Sequence, residues 1–198
     1  MQWFTSDWHF NHQTLSKGIR GKRFSTVKDH DEYIINQIIE CTSPGDDLFF
    51  LGDLAWKWSS KDYEVFFTKL KRHKLRFHWI LGNHDKLSIK SSCIVWKGAM
   101  KDIIINKTPL TLCHYPLIVY NRSHYNAINL HGHIHVNDST YNKPEWGELI
   151  DCKILPGKRL NMNVEFWEYK PISIEQILEV AKDLPDNWDR IYKKIKKN

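Results

Sequence analysis

The chain has 198 residues and a formal net charge of +6, with 41% of its residues hydrophobic and 26% charged. These fractions are typical of a globular protein and exclude a disordered or fibrous chain. The length predicts one domain, over residues 1–198, with enough chain to bury a substantial core.

No apolar stretch reaches the roughly 20 residues of a membrane-spanning helix, and the N-terminus has the character of a strand, not of a signal peptide. We therefore expect no membrane contact. The four cysteines form no C-x-x-C pair; they are Cys41, Cys93, Cys113 and Cys152. Scattered thiols of this kind indicate a reducing, cytoplasmic environment.

The first half of the chain alternates between strands and helices. Apolar runs predict buried strands at residues 2–5, 48–51 and 75–81. Residues 10–24 are predicted to be a loop with a helical turn, and helices are predicted over 26–41 and from Ser59 onward. Thr26 and Ser59 are suitable helix caps. The second helix carries an apolar core stripe at i, i+3, i+4 and i+7: Tyr63, Phe66, Phe67 and Leu70.

The second half is predicted to be mostly short strands, at residues 93–97, 102–106, 109–113, 127–131, near 148–152 and 160–169. A polar loop over 137–147 follows the last polar motif and could cover a site. Helices are predicted from Ser173, with Gln176 completing a capping box, and over 185–197, a basic appendage. Alternation followed by strands predicts an α/β (α+β) fold of two stacked mixed sheets with helices outside.

Two features of composition have alternative interpretations. The positive charge is concentrated at residues 69–74 and 193–197, where it either solubilises the surface or attracts phosphorylated substrates and nucleic acid. Core packing is the simpler interpretation of the nine tryptophans. The alternative is that a tryptophan beside a polar motif stacks on a nucleobase; the candidates are Trp8, Trp56 and Trp58.

Five predicted strands end in polar residues. The motifs are Asp7-x-His9, Gly52-Asp53, Gly82-Asn83-His84-Asp85, His114 and Gly132-His133-x-His135. In open α/β sheets, ligands bind outside the carboxyl ends of the strands. Any one motif could be a polar turn or a buried core histidine, but five together favour a shared metal site.

These five motifs, in this order, resemble the calcineurin-like metallophosphoesterase superfamily. They span residues 7 to 135, and the chain is most similar to the small single-domain phosphoesterases of bacteria and phages. The opening at residues 6–12 and the later stretch at 163–171 share that similarity. The resemblance implies a four-layer α-β-β-α sandwich, two stacked mixed sheets with flanking helices. The expected location is the cytoplasm, or the host cytoplasm if the chain is phage-encoded.

The resemblance also implies two metal ions and their ligands. The ligands of the first ion would be Asp7, His9, Asp53 and His135. The ligands of the second would be Asp53, Asn83, His114 and His133. A carboxylate between two cations offsets their repulsion, and Asp53 is the predicted bridge. Imidazole and oxygen ligands without thiolate suit Mn²⁺, our first choice, and also Fe, Zn²⁺ or Ni²⁺.

Two metal ions roughly 3.5 to 4 Å apart can clamp a phosphate and generate a strong nucleophile from water. By resemblance, His84 is not a ligand; it would protonate the leaving alkoxide or stabilise the transition state. The protein-phosphatase branch supports this histidine with an Asp followed by an Arg, whereas this chain has Trp56 and Lys57. Asp85 is the predicted substitute.

A substrate contact is expected from His12, which lies near the active site in the resembled family, with a surface histidine as the equal alternative. Arg20, Lys22 and Arg23 could meet a substrate phosphate, with Arg23 as our choice among them, but a solvated loop is the favoured explanation for any one of them.

The sequence therefore predicts a metal-dependent phosphoesterase. Basic charge, nearby tryptophans and the lack of an inserted cap domain favour a phosphodiester of a nucleotide or nucleic acid over a small phosphomonoester. Two readings come from other classes. A catalytically silent scaffold would lack ligands, and none is missing. A nucleic-acid-binding module built on the basic C-terminal helix would leave the five motifs unexplained.

Overall fold

The computed structural model describes residues 1–18, 20–135, 154–155 and 157–195; for 154–155 and 192–195 it describes the backbone alone. The described strands are β1 (Gln2–Thr5), β2 (Asp47–Phe50), β3 (Arg76–Ile80), β4 (Ile94–Gly98), β5 (Met100–Ile105), β6 (Thr108–Cys113), β7 (Ile128–His131), β8 (Ile154–Leu155), β9 (Arg159–Asn161) and β10 (Ile172–Ser173). The described α-helices are α1 (Gln13–Lys17), α2 (Val27–Cys41), α3 (Ser60–Arg72), α4 (Ile174–Ala181) and α5 (Trp188–Ile195).

These strands form two five-stranded mixed sheets. The first has the order β10-β1-β2-β3-β4 and the second the order β5-β6-β7-β9-β8. In the first sheet β1 to β4 are parallel and β10 is antiparallel. In the second β6, β7 and β9 are parallel, with β5 and β8 antiparallel outside them. The predicted fold class is confirmed: two mixed sheets with flanking helices.

The core consists of two clusters, and successive side chains of β2 and of the following Leu51 belong alternately to one and the other. Leu48 and Phe50 pack with residues of α2 and α3, whereas Phe49 and Leu51 pack with residues of β6 and β7. Successive side chains of a strand point to opposite faces, so the first sheet lies between the two helices α2 and α3 and the second sheet. Trp8, fully buried and stacked on Phe50, belongs to the first cluster.

Helix caps follow the sequence prediction. The Thr26 side chain accepts a hydrogen bond from the backbone of Asp29, and Ser59 and Ser173 form complete capping boxes with Asp62 and Gln176. The predicted stripe on α3 is buried throughout. No helix in the described part of the chain is long and apolar enough to cross a membrane.

The structure corrects one strand boundary here and adds one strand. The predicted strand over 160–169 stops at Asn161, because the Asn163 side chain accepts a hydrogen bond from the backbone of Glu165 and turns the chain into a 3₁₀ helix, Val164–Phe166. The strand β10, which pairs with β1, was not predicted.

The last helix begins at Trp188 and not at Pro185. The buried Asn187 side chain bonds the backbone of Ser123, Ala127 and Lys158, which holds the preceding residues outside the helix. The predicted apolar face of this last helix, α5, is exposed at Trp188 (63%) and Ile191 (37%). The predicted strand near 148–152, the loop 137–147 and Cys152 lie outside the described residues.

Candidate metal centre

The candidate ligands follow the carboxyl ends of five strands from both sheets. Those after β1, β2 and β3 come from the first sheet: Asp7, His9, Asp53 and Asn83. Those after β6 and β7 come from the second sheet: His114, His133 and His135. Parallel strands that point the same way bring their following loops to one edge. A backbone bridge between Ser6 and Asn163 joins the two sheets at this edge.

Six of these side chains form two groups that could each hold a metal ion. The first group is Asp7, His9 and His135, and the second group is Asp53, His114 and His133. Within each group the potential ligand atoms all lie within 4.8 Å of one another. The structure therefore brings together residues that are up to 128 positions apart in the sequence, Asp7 and His135 being the extremes (135 − 7 = 128).

The Asp53 carboxylate lies between the two groups. Its Oδ2 atom is 3.6 Å from His9 Nε2 and 3.4 Å from His114 Nε2. Asn83 joins the second group, since its Oδ1 is 3.1 Å from His114 Nε2. Two atoms bound to one ion at ~2.1 Å stand ~3.0–3.4 Å apart in octahedral or tetrahedral geometry. The observed spacings are close to these values, so a cation fits between these side chains.

His9 provides a direct test of that fit. Both of its ring nitrogens are buried, and neither has a hydrogen-bond partner among the residues that the structure describes. Burial is the main cause that holds the pKa of His9 well below its usual value, so the ring is neutral and keeps a lone pair. A buried polar atom without a partner costs about 1–3 kcal/mol. A metal ion at Nε2 would remove that cost.

Hydrogen bonds orient two of the other histidines. Nδ1 of His114 donates to the backbone oxygen of Leu51 at 2.8 Å, and Nδ1 of His135 donates to Glu165 Oε1 at 2.7 Å. Each bond leaves the Nε2 lone pair for an ion. Metal-binding histidines are commonly held by such a bond to their second nitrogen.

The carboxylates make the site attractive to positive charge. Burial raises the pKa of Asp7. Burial alone would lower the pKa of His114, but the Asp53 and Asp7 carboxylates outweigh it and raise that pKa to about 9. Groups that favour a proton so strongly also favour a divalent cation in the same place.

Four candidate ligands have left-handed backbone conformations, with φ of 55° at Asp7, 48° at His9, 61° at Asp53 and 72° at His133. Non-glycine residues in this region carry about 1–3 kcal/mol of strain each and persist only where the surroundings enforce them. Such residues concentrate at functional sites. The strain marks these loops as built for the position of their side chains.

Gly132, directly before His133, has to be a glycine because the side chains of Asp7 and Ser6 lie very close to its Cα. A Cβ on Gly132 would lie 2.3 Å from Asp7 Oδ2 and 2.6 Å from Ser6 Oγ. Gly82 is constrained in the same way, because its Cβ would lie 2.3 Å from Asp53 Oδ1. These two motif glycines thus leave room for the carboxylate of a different motif.

Asp85 connects the loops after β2 and β3. Its carboxylate accepts hydrogen bonds from the backbone of Asp53, Leu54 and Gly82, each at 2.9 Å, and from Trp79 Nε1 at 3.1 Å. These contacts hold Asp53 in place. No contact described for the Asp85 carboxylate is with the His84 ring.

His84 lies at the open side of the two groups. Its side chain is 33% exposed, and its Nε2 is 4.0 Å from Asp53 Oδ2. The ring packs edge-on against Trp56, with centroids 5.0 Å apart. His84 therefore reaches the ligand groups while it remains accessible to a substrate.

The predicted substrate contacts have different positions. His12 is beside the site, since its ring is 4.7 Å from Trp56 and 5.6 Å from His9. Arg23 bonds the Tyr33 hydroxyl at 2.7 Å and lies over the Tyr169 ring, and these described contacts do not reach the ligand groups. Trp58 stacks on Phe10 in the core.

Arg20 is buried, with 1% exposure. It is therefore neither a solvated loop residue nor a phosphate contact, the two interpretations that the sequence offered. Its guanidinium bonds Glu165 and the backbone of Asp7. Sequence reasoning gave Arg20 the wrong role and gave Glu165 none. The signal for Glu165 was its place in the stretch 163–171, which resembled the family without an assigned role, whereas nothing in the sequence distinguished Arg20 from Lys22 and Arg23.

Comparison with known proteins agrees with this geometry. The model of the calcineurin-like phosphoesterase family matches residues 2–160, and the chain belongs to this family. With its two groups of candidate metal ligands, it is a metal-dependent phosphoesterase, a hydrolase that acts on phosphoesters.

Three similar proteins illustrate the relationship. The uncharacterized protein MJ1445 of Methanocaldococcus jannaschii is 27% identical over 179 residues, 89% of each chain. The crystal structure of a protein of unknown function from Aquifex aeolicus, AQ665, aligns with a TM-score of 0.69 and 26% identity over 91% of this chain and 98% of that one. YfcE, a phosphoesterase from E. coli, aligns with a TM-score of 0.39 and 15% identity over 82% and 77%.

We expect Gly132→Ala to lower metal affinity roughly 10- to 100-fold, the usual range for disturbing the support of a metal ligand. The added methyl group would displace the Asp7 carboxylate. Metal content after dialysis is the measurement. Gly45→Ala is the control, because that glycine has open space around it; its positive φ of 93° makes the substitution locally strained without touching a ligand. Equal metal content in both variants would contradict the prediction.

Proposed function

We propose that this chain hydrolyses a phosphodiester of a nucleotide or nucleic acid with two metal ions. The position of Asp53 carries the proposal, because one carboxylate oxygen is within 3.6 Å of a histidine from each group. A shared anion of this kind is what two adjacent cations require to offset their repulsion.

We assign Asp7, His9 and His135 to the first ion, Asn83, His114 and His133 to the second, and Asp53 to both. Two such ions supply charge stabilisation for the phosphoryl oxygens and a nucleophile at neutral pH. The mixed imidazole and oxygen donors favour Mn²⁺, with Fe, Zn²⁺ or Ni²⁺ as alternatives.

His84 is the proposed general acid. Its Nε2 would hold a proton and donate it to the leaving oxygen, which must therefore lie on the His84 side of the phosphate. The edge-on contact with Trp56 limits rotation of the ring. Asp85 acts indirectly, by holding Asp53 and the backbone of the loop that carries His84.

The surroundings of His84 favour an aromatic group on the leaving oxygen, as a nucleotide ester provides. Trp56 is half-buried between the rings of His12 and His84, and offers an aromatic surface beside the expected leaving group. The net charge of +6 favours polyanionic substrates. The free thiols of Cys41, Cys93 and Cys113 support action in a reducing cytoplasm. A small phosphomonoester is the alternative substrate.

The first test is hydrolysis of bis-p-nitrophenyl phosphate and of p-nitrophenyl phosphate by the metal-stripped protein after addition of Mn²⁺, Fe²⁺, Ni²⁺, Zn²⁺ or Mg²⁺. We expect Mn²⁺ to restore turnover, with the diester preferred. Faster turnover of the monoester would replace the diester proposal with the alternative. No turnover with any metal, in a protein that binds no metal, would overturn the proposal.

We expect His84→Ala to keep its metal and to lose roughly 10²- to 10⁴-fold in kcat, the usual contribution of a general acid. Asp53→Asn is the contrasting variant, because loss of the shared charge should release metal. Steady-state kinetics and metal analysis separate the two effects. Unchanged kcat in His84→Ala would remove this residue from the reaction.

We expect Trp56→Ala to weaken hydrolysis of a dinucleotide more than that of the same diester without its base. Stacking on an aromatic side chain contributes about 1–3 kcal/mol per base, which is roughly 5- to 150-fold in kcat/KM. Trp188→Ala is the control, since Trp188 is 63% exposed on α5. A loss that is equal on both substrates would mean that Trp56 supports His84 and does not bind a base.

A further inference from the structure

The buried guanidinium of Arg20 is attached to the backbone of the first ligand loop. Its Nη2 donates a hydrogen bond to the backbone oxygen of Asp7 at 2.6 Å, and its Nη1 donates one to the backbone oxygen of Trp8 at 2.9 Å. Removing a charged group from water is costly unless hydrogen bonds and an opposite charge compensate it. The opposite charge here is the Glu165 carboxylate, whose Oε1 accepts a hydrogen bond from Arg20 Nε at 2.9 Å.

The same oxygen of Glu165 accepts the hydrogen bond from His135 Nδ1. Glu165 is itself placed by Asn163, whose side chain accepts a hydrogen bond from the Glu165 backbone. One carboxylate oxygen therefore connects the ring of His135, after β7, to the loop of Asp7 and His9, after β1. The pair therefore holds Asp7 and His135 directly, and it reaches His9 only through the backbone of the preceding Trp8.

The loop is supported from a further side by α2. Nη1 of Arg20 is 2.8 Å from His30 Nε2, and His30 Nδ1 is 2.8 Å from Asp31 Oδ1. The other oxygen of Asp31 accepts a hydrogen bond from the backbone of Asn11, at 2.9 Å. The segment that carries Asp7 and His9 is thus held at its beginning and at its end, which explains how it keeps its left-handed residues.

We propose that Arg20 and Glu165 are positioning residues for the first metal ion, and that they act on this ion and not on the second. The proposal rests on the two-ion function proposed above. Arg20 fixes the backbone that presents Asp7 and His9, and Glu165 fixes the ring orientation and tautomer of His135. The second group has a different support at His114, whose Nδ1 bonds the Leu51 backbone.

The test is Glu165→Gln in the full chain, with Asp47→Asn as its matched control. Asp47 is also a carboxylate that bonds a histidine, since its Oδ1 is 2.6 Å from His78 Nε2, but it lies at the start of β2, away from the ligand loops. Metal-free protein is titrated with Mn²⁺ against a competing chelator, and thermal midpoints are measured on the metal-free samples.

We expect two ions in the wild type and in Asp47→Asn. In Glu165→Gln one ion should keep its affinity, whereas the other should bind roughly 10- to 100-fold more weakly, as is usual when the partner of a metal-binding histidine is changed. Excess Mn²⁺ should then restore turnover. Arg20→Lys, which keeps the charge but cannot span both backbone oxygens, should weaken the same ion.

Unchanged affinities in Glu165→Gln would overturn the positioning role. Equal weakening of both ions, together with a lower thermal midpoint of the metal-free protein, would also overturn it, since the pair would then only stabilise the fold. A wild type that binds fewer than two ions would overturn the two-ion function itself, which is a separate result that the wild-type titration alone reveals.

Discussion

The Asp53 carboxylate is the contact on which the rest of the site depends. Its Oδ2 faces histidines that follow β1 and β6, so it joins loops of both sheets, and its Oδ1 accepts a hydrogen bond from the backbone of His84. A carboxylate can serve all of these groups only if its own backbone is fixed. Asp85 does this through the Asp53 N–H, and the left-handed φ of 61° directs the side chain between the sheets.

Such a site lowers the stability of the fold, because it buries charged groups and holds several residues in a strained backbone conformation. The cost is offset outside the site, where the aromatic and aliphatic clusters on both faces of the first sheet hold the strands that precede the ligand loops. Polar support then sets the final positions. Asp85 serves the loops after β2 and β3, and the Arg20–Glu165 pair serves those after β1 and β7.

Much of this arrangement could be predicted from sequence, because strand ends and glycines are local signals. Gly82 and Gly132 precede their polar residues directly, and the structure shows that each leaves room for the carboxylate of another motif. The supporting pair was not predictable in this way. Arg20 and Glu165 are 145 positions apart, so only the folded chain shows that they meet. The strand β10 was missed for a related reason, since two residues form a strand only through pairing with β1.

Trp56, the residue that packs against His84, would affect both the proposed proton transfer and the choice of substrate. A carboxylate there would hold the imidazole by a hydrogen bond and would leave a polar, solvated wall. Trp56 holds the ring by packing, and its backbone is fixed from two sides, through its N–H to Phe10 and its oxygen to Asn11. An indole gives an apolar surface where the leaving group must lie. The residue that restrains the proposed acid would therefore also offer an apolar surface to the organic group on the leaving oxygen, which monoesters and diesters both carry.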